Sequence, residues 1–235
     1  MSGKIYLIPN TLGESETKSV FPELNFAIIR NIKHFIVEDV RTARRFLKKM
    51  DKEIDIDTLT FYTLNKHTSP EEISTYLAPA LAGADMGVIS EAGCPCIADP
   101  GAEIVKIAQK KGLRSIPLVG PSSILMGLMA SGFNGQSFAF VGYLPIEDGD
   151  RINRIKSLEK RAKIEHQSQI FIETPYRNIK MMESLLSTLQ PNTLVCVACD
   201  VTLESEMIVT KTVSEWKKKP LPEINKRPTV FIIYC

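Results

Sequence analysis

No apolar run in this sequence could cross a bilayer. The longest near its middle, Ile124 to Ala130, is about a third of the length a span needs. The N-terminus also lacks a basic stretch followed by an apolar segment, so neither an export signal nor a membrane anchor is expected and the cytoplasm is. A net charge of +2 over 235 residues gives no global reason to expect nucleic acid or an anionic surface, though it leaves room for a local basic face. Five cysteines are an odd number at no secretory spacing, which points to reduced thiols rather than a disulfide framework.

Metal and phosphate motifs are scarce as well. The three histidines, His34, His67 and His166, are scattered, none at ligand spacing from another. Cys196-x-x-Cys199 has a spacing known from zinc sites, but VCVACDV reads as a β run, where residues three apart point to opposite faces. No metal is expected. Neither G-x-x-x-x-G-K-[ST] nor a G-x-G-x-x-G after a strand occurs, so the usual cradles for nucleoside triphosphates and dinucleotides are missing.

What is present is an alternation of strand and helix. Lys4 to Ile8, His34 to Val37, Leu59 to Tyr62, Met86 to Ile89 and Ile116 to Val119 read as strands. From Val40 to Met50, Ala43, Phe46, Leu47 and Met50 recur at helical spacing and leave Arg41, Arg44, Arg45, Lys48 and Lys49 on the other side. Ser69 with Glu72 forms a capping box around Pro70, opening a helix expected to run to Gly83. Asp99 and Pro100 supply a cap and first-turn residue for a helix ending near Gly112.

GPSS, Gly120 to Ser123, opens an almost wholly apolar helix closed by Gly132, and such a helix is expected to be buried. Strands Phe138 to Tyr143 and Gln169 to Ile172 follow, with a charged helix from Arg151 between them and a helix striped by Met182, Leu185, Leu186 and Leu189 after them. The runs Leu194 to Cys199, Glu206 to Thr210 and Val230 to Tyr234 are strand-like, with one short helical segment near Trp216, so the sheet there is expected to turn antiparallel. About ten strands exceed what one compact sheet usually carries. The expected fold is therefore α/β in two domains, 1–119 with a mostly parallel sheet and 120–235 with a mixed one.

Four junctions stand out as sites. ISEAGCPCIADPG, residues 89 to 101, leaves the carboxyl end of a strand, where open α/β sheets bind ligands; Gly93 permits close backbone approach and Pro95 fixes a bend. GPSS presents a helix N-terminus and two hydroxyls. EDVR, Glu38 to Arg41, and ETPYR, Glu173 to Arg177, each set a carboxylate beside a guanidinium at a strand-to-helix junction. A plain turn, a helix cap and a salt bridge would give the same patterns.

In order, IPNTLG, VEDVRTARRFL, ISEAGCPCIADPG, IPLVGPSSILMGLMASGF and FIETPYR resemble the ribosomal RNA small subunit methyltransferase I family, part of the tetrapyrrole methylase superfamily. The resemblance runs from about residue 4 to at least 180. It implies two α/β domains with S-adenosylmethionine in the cleft between them, and a homodimer. By similarity, Ile8, Pro9, Ser90, Glu91, Ala92, Gly93, Pro95, Ile97, Ser122, Ser123, Phe171 and Ile172 would line the donor pocket. Glu38 and Glu173 are the candidates for general base, Arg41 joins them at the catalytic junction, and Arg44 and Arg177 are candidates for holding RNA phosphates. The implied reaction is methylation of a cytidine ribose 2'-hydroxyl in 16S ribosomal RNA, with the small ribosomal subunit as partner.

This chain departs from the family pattern at three places: Pro9-Asn10-Thr11-Leu12-Gly13 stands where the family has P-I-G-N-L, EDVR where it has E-D-T-R, and SEAGCP where it has S-D-A-G-T-P. Family members also usually carry a further segment past the last strand, whereas this sequence ends at Cys235. A tetrapyrrole or other small-molecule acceptor, and a donor-binding module without transfer, therefore stay open as alternatives.

Overall fold

The computed structural model describes residues 2–65 and 68–235, and the chain divides into two units between Ser122 and Ser123. His67 lies outside the described residues. In the first unit the elements run β1 (Lys4–Ile8), α1 (Thr17–Val20), α2 (Glu23–Asn31), β2 (His34–Val37), α3 (Val40–Met50), β3 (Thr60–Thr63), α4 (Pro70–Thr75), α5 (Ala78–Leu81), β4 (Met86–Ile89), α6 (Gly101–Lys110) and β5 (Arg114–Pro117). The strands pair in the order β3-β2-β4-β1-β5, every pair parallel.

Helices on both faces explain why these strands are apolar at odd and even positions alike. Tyr6, Ile8, Phe35, Val37 and Ile89 pack toward Ile29 of α2 and Phe46 and Leu47 of α3. Their neighbours Ile5, Ile36, Met86 and Val88 pack toward Ala80 of α5 and Ile104 and Ala108 of α6. Gly87, in the middle of β4, is what lets Ile8 and Phe35 meet: a Cβ there would lie 2.7 Å from Ile8 Cδ1 and 2.8 Å from Phe35 Cδ1.

Two local expectations need correction. The helix expected from Ser69 to Gly83 is two short ones, because Pro79 has no N–H and its ring crowds the preceding turn. The cap itself forms, with Ser69 Oγ accepting from the Glu72 amide at 3.2 Å. β5 lies at Arg114–Pro117 rather than 116–119, since as an edge strand it tolerates exposed Arg114. α1 and α2 carry no clean apolar stripe, and only Asn25 and Ile29 of α2 are buried.

The second unit runs α7 (Ser123–Ser131), β6 (Phe138–Tyr143), α8 (Asp148–Glu165), β7 (Ser168–Ile172), α9 (Asn178–Thr188), β8 (Leu194–Cys199), β9 (Met207–Thr212), α10 (Val213–Trp216) and β10 (Thr229–Tyr234). Its sheet is β6-β7-β10-β8-β9, with β6 and β7 parallel and the remaining pairs antiparallel. The expected α/β class, a parallel sheet followed by a mixed one, is what the chain forms. Ile155 and Leu158 of α8 and Met182 and Leu185 of α9 pack on Val195, Val197, Phe231 and Ile233, and the Phe171 and Phe231 rings stack with centroids 5.8 Å apart.

α7 covers the opposite face, where Gly127 permits close approach: a Cβ there would lie 3.2 Å from Ala198 Cβ. The expectation that α7 is wholly buried fails. Leu125 is 49% and Met129 82% exposed, because one sheet face covers only one side of a helix. Cys199 joins the α8–α9 core and Cys196 lies at the opposite parity of the same strand, beside Thr210.

Phe231→Ala removes the stacked ring and leaves a cavity. We expect it to cost about 3–5 kcal/mol, read as a lower denaturant midpoint for the second unit. A loss under about 1 kcal/mol would contradict this packing.

Candidate active site

In the first unit, β2 is followed by a connection toward β3 at one edge, whereas β4 is followed by one that reaches β5 at the other. β2 and β4 lie side by side, so their outgoing loops part and leave a crevice at their carboxyl ends. A small, open cleft sits there, lined by Ile36, Val37 and Glu38, which lead out of β2, Val88 and Ile89 from β4, Leu64, and Asp99, Pro100 and Gly101. Two carboxylates thus line one small opening.

The loop that follows β4 is tightly folded. Gly93, Cys96 and Ala98 have φ of 69°, 70° and 61°, the left-handed region that side chains disfavour. Asp99 ties the strained Cys96 to the start of α6: its Oδ2 accepts from the Cys96 amide at 2.8 Å and its Oδ1 from the Gly101 amide at 2.7 Å. Such strain, of order 1–3 kcal/mol per residue, persists only where surrounding bonds over-determine it. Burial pushes the Cys96 thiol up to about 12, with Asp99 adding to it, so this thiol stays protonated.

Asn10, just past β1, fastens that loop to its neighbour. Its buried amide nitrogen donates to the carbonyls of Ser90 (3.0 Å) and Glu91 (3.1 Å), and its backbone exchanges hydrogen bonds with Gly93 at 2.9 and 3.2 Å. Ser90 Oγ closes the turn on the Gly93 carbonyl at 2.8 Å. The segment after β5 completes the cluster. A Cβ on Gly120 would overlap Pro9 Cγ at 2.3 Å, and Cys94 Sγ donates to the Pro121 carbonyl at 3.5 Å. The turn after Ile89 and the start of GPSS are therefore in contact within one unit.

Electrostatics divide the carboxylates. Burial pushes the Glu38 carboxyl up, Asp99 and Glu91 add to it, and a hydrogen bond from the Glu91 amide pulls partly back. Burial also raises Asp99, against the amide bonds it accepts. Asp39 instead caps α3 by accepting from the Thr42 amide at 2.8 Å, and these bonds lower it. Thr42 Oγ1 donates to Glu91 Oε1 at 2.7 Å and so ties α3 to the loop.

The remaining sequence-derived candidates fall as follows. Pro9, Ser90, Glu91, Ala92, Gly93 and Pro95 belong to the fastened cluster, while Ile97 is exposed on its outer turn. Ile8 corrects one expectation: it is wholly buried in the core beneath Gly87, so its side chain lines no pocket. Arg41 is exposed beside Asp39, and Arg44 lies over the Phe61 ring at 5.4 Å. Ser122 ends the first unit and Ser123 opens α7 in the second.

In the second unit, the Phe171 side chain is spent on the Phe231 stack rather than on a pocket, and Ile172 is half-buried. Glu173, its side chain 2% exposed, accepts at one oxygen from the Thr174 amide (2.6 Å) and from Arg177 Nε (3.0 Å) and Nη2 (2.6 Å). That pair anchors the turn before α9. It suits neither a free base nor a free phosphate clamp. Asn10 and Thr42 were not candidate site residues in the sequence, and Gly120 entered only as the first residue of GPSS; an Asn directly after a strand-ending Pro was the available signal.

Comparison with known proteins places this geometry. No protein-family model matches the chain. Among solved structures, the methyltransferase CobJ superposes with a TM-score of 0.65 at 16% identity, covering 99% of this chain and 94% of that one. The native form of uroporphyrin III C-methyl transferase from Thermus thermophilus gives 0.59 at 14% identity, over 99% and 97%. The fold is that of the tetrapyrrole methyltransferases, and the chain is a methyltransferase.

By sequence it is similar to Ribosomal RNA small subunit methyltransferase I of Bacillus subtilis, 29% identical over 216 residues that cover 91% of this chain and 68% of the relative. The corresponding protein of Vibrio cholerae is 26% identical over 204 residues (87% and 67%), and that of Escherichia coli O157:H7 25% over 220 (92% and 73%). The family resemblance carried by the five motifs is thus borne out across nearly the whole chain.

Two outcomes follow from this geometry. Asn10→Ala leaves the buried Ser90 carbonyl and the part-buried Glu91 carbonyl without this donor, so we expect a loss of about 1–3 kcal/mol and faster amide exchange at Gly93 and Thr11; unchanged exchange there would contradict the fastening role. For Glu38 the folded carboxyl lies above its unfolded value, so its ionised form costs stability at neutral pH, and the cost fades as pH falls through the folded value. Glu38→Gln should therefore raise the melting temperature at pH 7, with the difference from wild type closing toward acid. A constant or reversed difference would count against the assigned cause.

Proposed function

We propose that the chain is an S-adenosylmethionine-dependent methyltransferase acting on small-subunit ribosomal RNA, at the 2'-hydroxyl of a cytidine ribose. The observation that carries this reading is the fastened loop: residues 90–93, held by Asn10 and backed by Gly120 and Pro121, beside a pocket with two carboxylates. The names of the sequence relatives support small-subunit ribosomal RNA as the substrate, and the family resemblance suggests the cytidine 2'-hydroxyl.

The residues present fit such a donor. Gly93 in the left-handed region keeps the loop backbone bare, and the negative cluster of Glu38, Glu91 and Asp99 complements a cationic nucleoside. When bound, the donor supplies a methyl already activated on a positively charged sulfur. The loop at Ser90 to Gly93 and the segment at Gly120 to Ser122 would hold it, and holding reactants in line is the larger part of the catalysis.

Glu38 would receive the proton as the ribose oxygen forms its new bond to carbon and the carbon–sulfur electron pair returns to sulfur. Its raised carboxyl suits that role. Arg41 and Arg44, on the exposed face of α3, would bind RNA phosphates. Met129, 82% exposed on α7, supports a homodimer through that helix, and ribosomal RNA as substrate implies the cytoplasm.

Transfer of a tritiated methyl to small ribosomal subunits lacking the modification tests the assignment. Wild type should label the RNA, and Glu38→Gln should lower kcat by about 10²–10⁴, a far larger effect than its loss of donor affinity. Donor binding without RNA labelling would reject the acceptor; label on a tetrapyrrole instead would favour the small-molecule alternative. Met129→Asp should convert the dimer to monomer by sedimentation, and an unchanged mass would remove α7 as the interface.

A further inference from the structure

The second unit concentrates positive charge far from the loops described above in sequence. Between Lys211 and Arg227 stand six basic residues against two acidic ones, Glu215 and Glu223. Several are committed. Glu215 closes a capping box with Thr212, Arg227 pairs with Asp200 at 2.8 Å, Lys211 lies over the Trp216 ring at 4.7 Å, and Lys226 lies over Tyr176 at 6.0 Å. Lys217, Lys218 and Lys219 are consecutive and exposed, and among the described residues none of them makes an ion pair within 4 Å.

Their mounting separates them from an ordinary solvated lysine run. Before them, Val213 is wholly buried and Trp216 is nearly so, its indole N–H donating to the Val195 carbonyl at 3.0 Å. The amides of all three lysines turn back on α10, bonding the carbonyls of Val213, Glu215 and Trp216 at 3.0, 3.2 and 3.2 Å. After them, Pro220 and Pro222 stiffen the chain and Ile224 is wholly buried. The Asn178 amide then grips the carbonyls of Ile224 (3.0 Å) and Arg227 (2.7 Å). Three ammonium groups are displayed on a loop pinned at both ends, so little backbone entropy is lost when they engage a partner.

We propose that Lys217, Lys218 and Lys219 form an RNA-docking surface that grips the phosphate backbone of the substrate. This rests on the reading of the chain as an RNA methyltransferase. Three adjacent cations, of which Lys218 interacts with one nearby carboxylate, Glu215, leave a net positive surface that complements a polyanion, and the neighbouring aromatic, Trp216, is turned inward and offers no face on which a base could stack. The surface therefore positions RNA without reading its sequence.

The test compares wild type with K217Q/K218Q/K219Q, and with K106Q/K110Q/K111Q, which removes three exposed lysines of α6 and its end, in binding to purified small subunits across a salt series. S-adenosylmethionine affinity serves as the check that each variant is folded. We expect the first triple variant to bind subunits about tenfold more weakly at physiological salt, with a log–log salt slope shallower by about two units, and the α6 variant to match wild type. Equal affinity and slope in the first variant, equal losses in both, or wild-type binding to anionic vesicles but not to RNA would each overturn the proposal. If wild type binds subunits with the expected slopes yet transfers no methyl, the docking surface stands and the assigned reaction falls.

Discussion

One asparagine side chain holds the rest of the site in register. The amide nitrogen of Asn10 satisfies the carbonyls of Ser90 and Glu91, and its backbone pairs with Gly93, so the loops after β1 and β4 move as one body. Each buried carbonyl left without a donor would cost about 1–3 kcal/mol, which makes the fastening hard to release piecemeal. Gly93 and Gly120 are its steric counterparts: the first occupies a conformation side chains disfavour, and the second leaves room for Pro9.

That constraint places the charges. With the loop fixed, the Glu91 amide reaches the Glu38 carboxylate, Thr42 reaches Glu91, and Asp99 binds the loop's own amides while facing the same pocket. A carboxylate that is partly buried and repelled by two others holds its proton to higher pH than one in water. The same arrangement that makes Glu38 costly to ionise makes it a better proton acceptor near neutrality. Glu173 shows the opposite solution, a buried carboxylate given over to Arg177 and a turn amide.

Much of the fold was legible because the signals were local. Lys4–Ile8, His34–Val37, Val40–Met50, Met86–Ile89, Phe138–Tyr143 and Leu194–Cys199 fall where apolar period and turn residues place them. Pro79 was the misread punctuation, and α7 shows that an apolar helix need not be covered on all sides within one chain. The site was legible only in outline. The loop after β4 announced itself through Gly93 and Pro95, but the bond from Asn10 spans about eighty residues of sequence, and no local pattern encodes such a partner. Ile8 and Phe171 looked like pocket residues by similarity and are core residues by packing.

Hydrogen exchange with and without S-adenosylmethionine tests the central claim most directly. If the fastened loops hold the donor, its addition slows exchange at residues 10–12, 90–97 and 118–122. Unaltered exchange in all three segments at saturating donor, with protection elsewhere, would show that the donor is held by other parts of the chain.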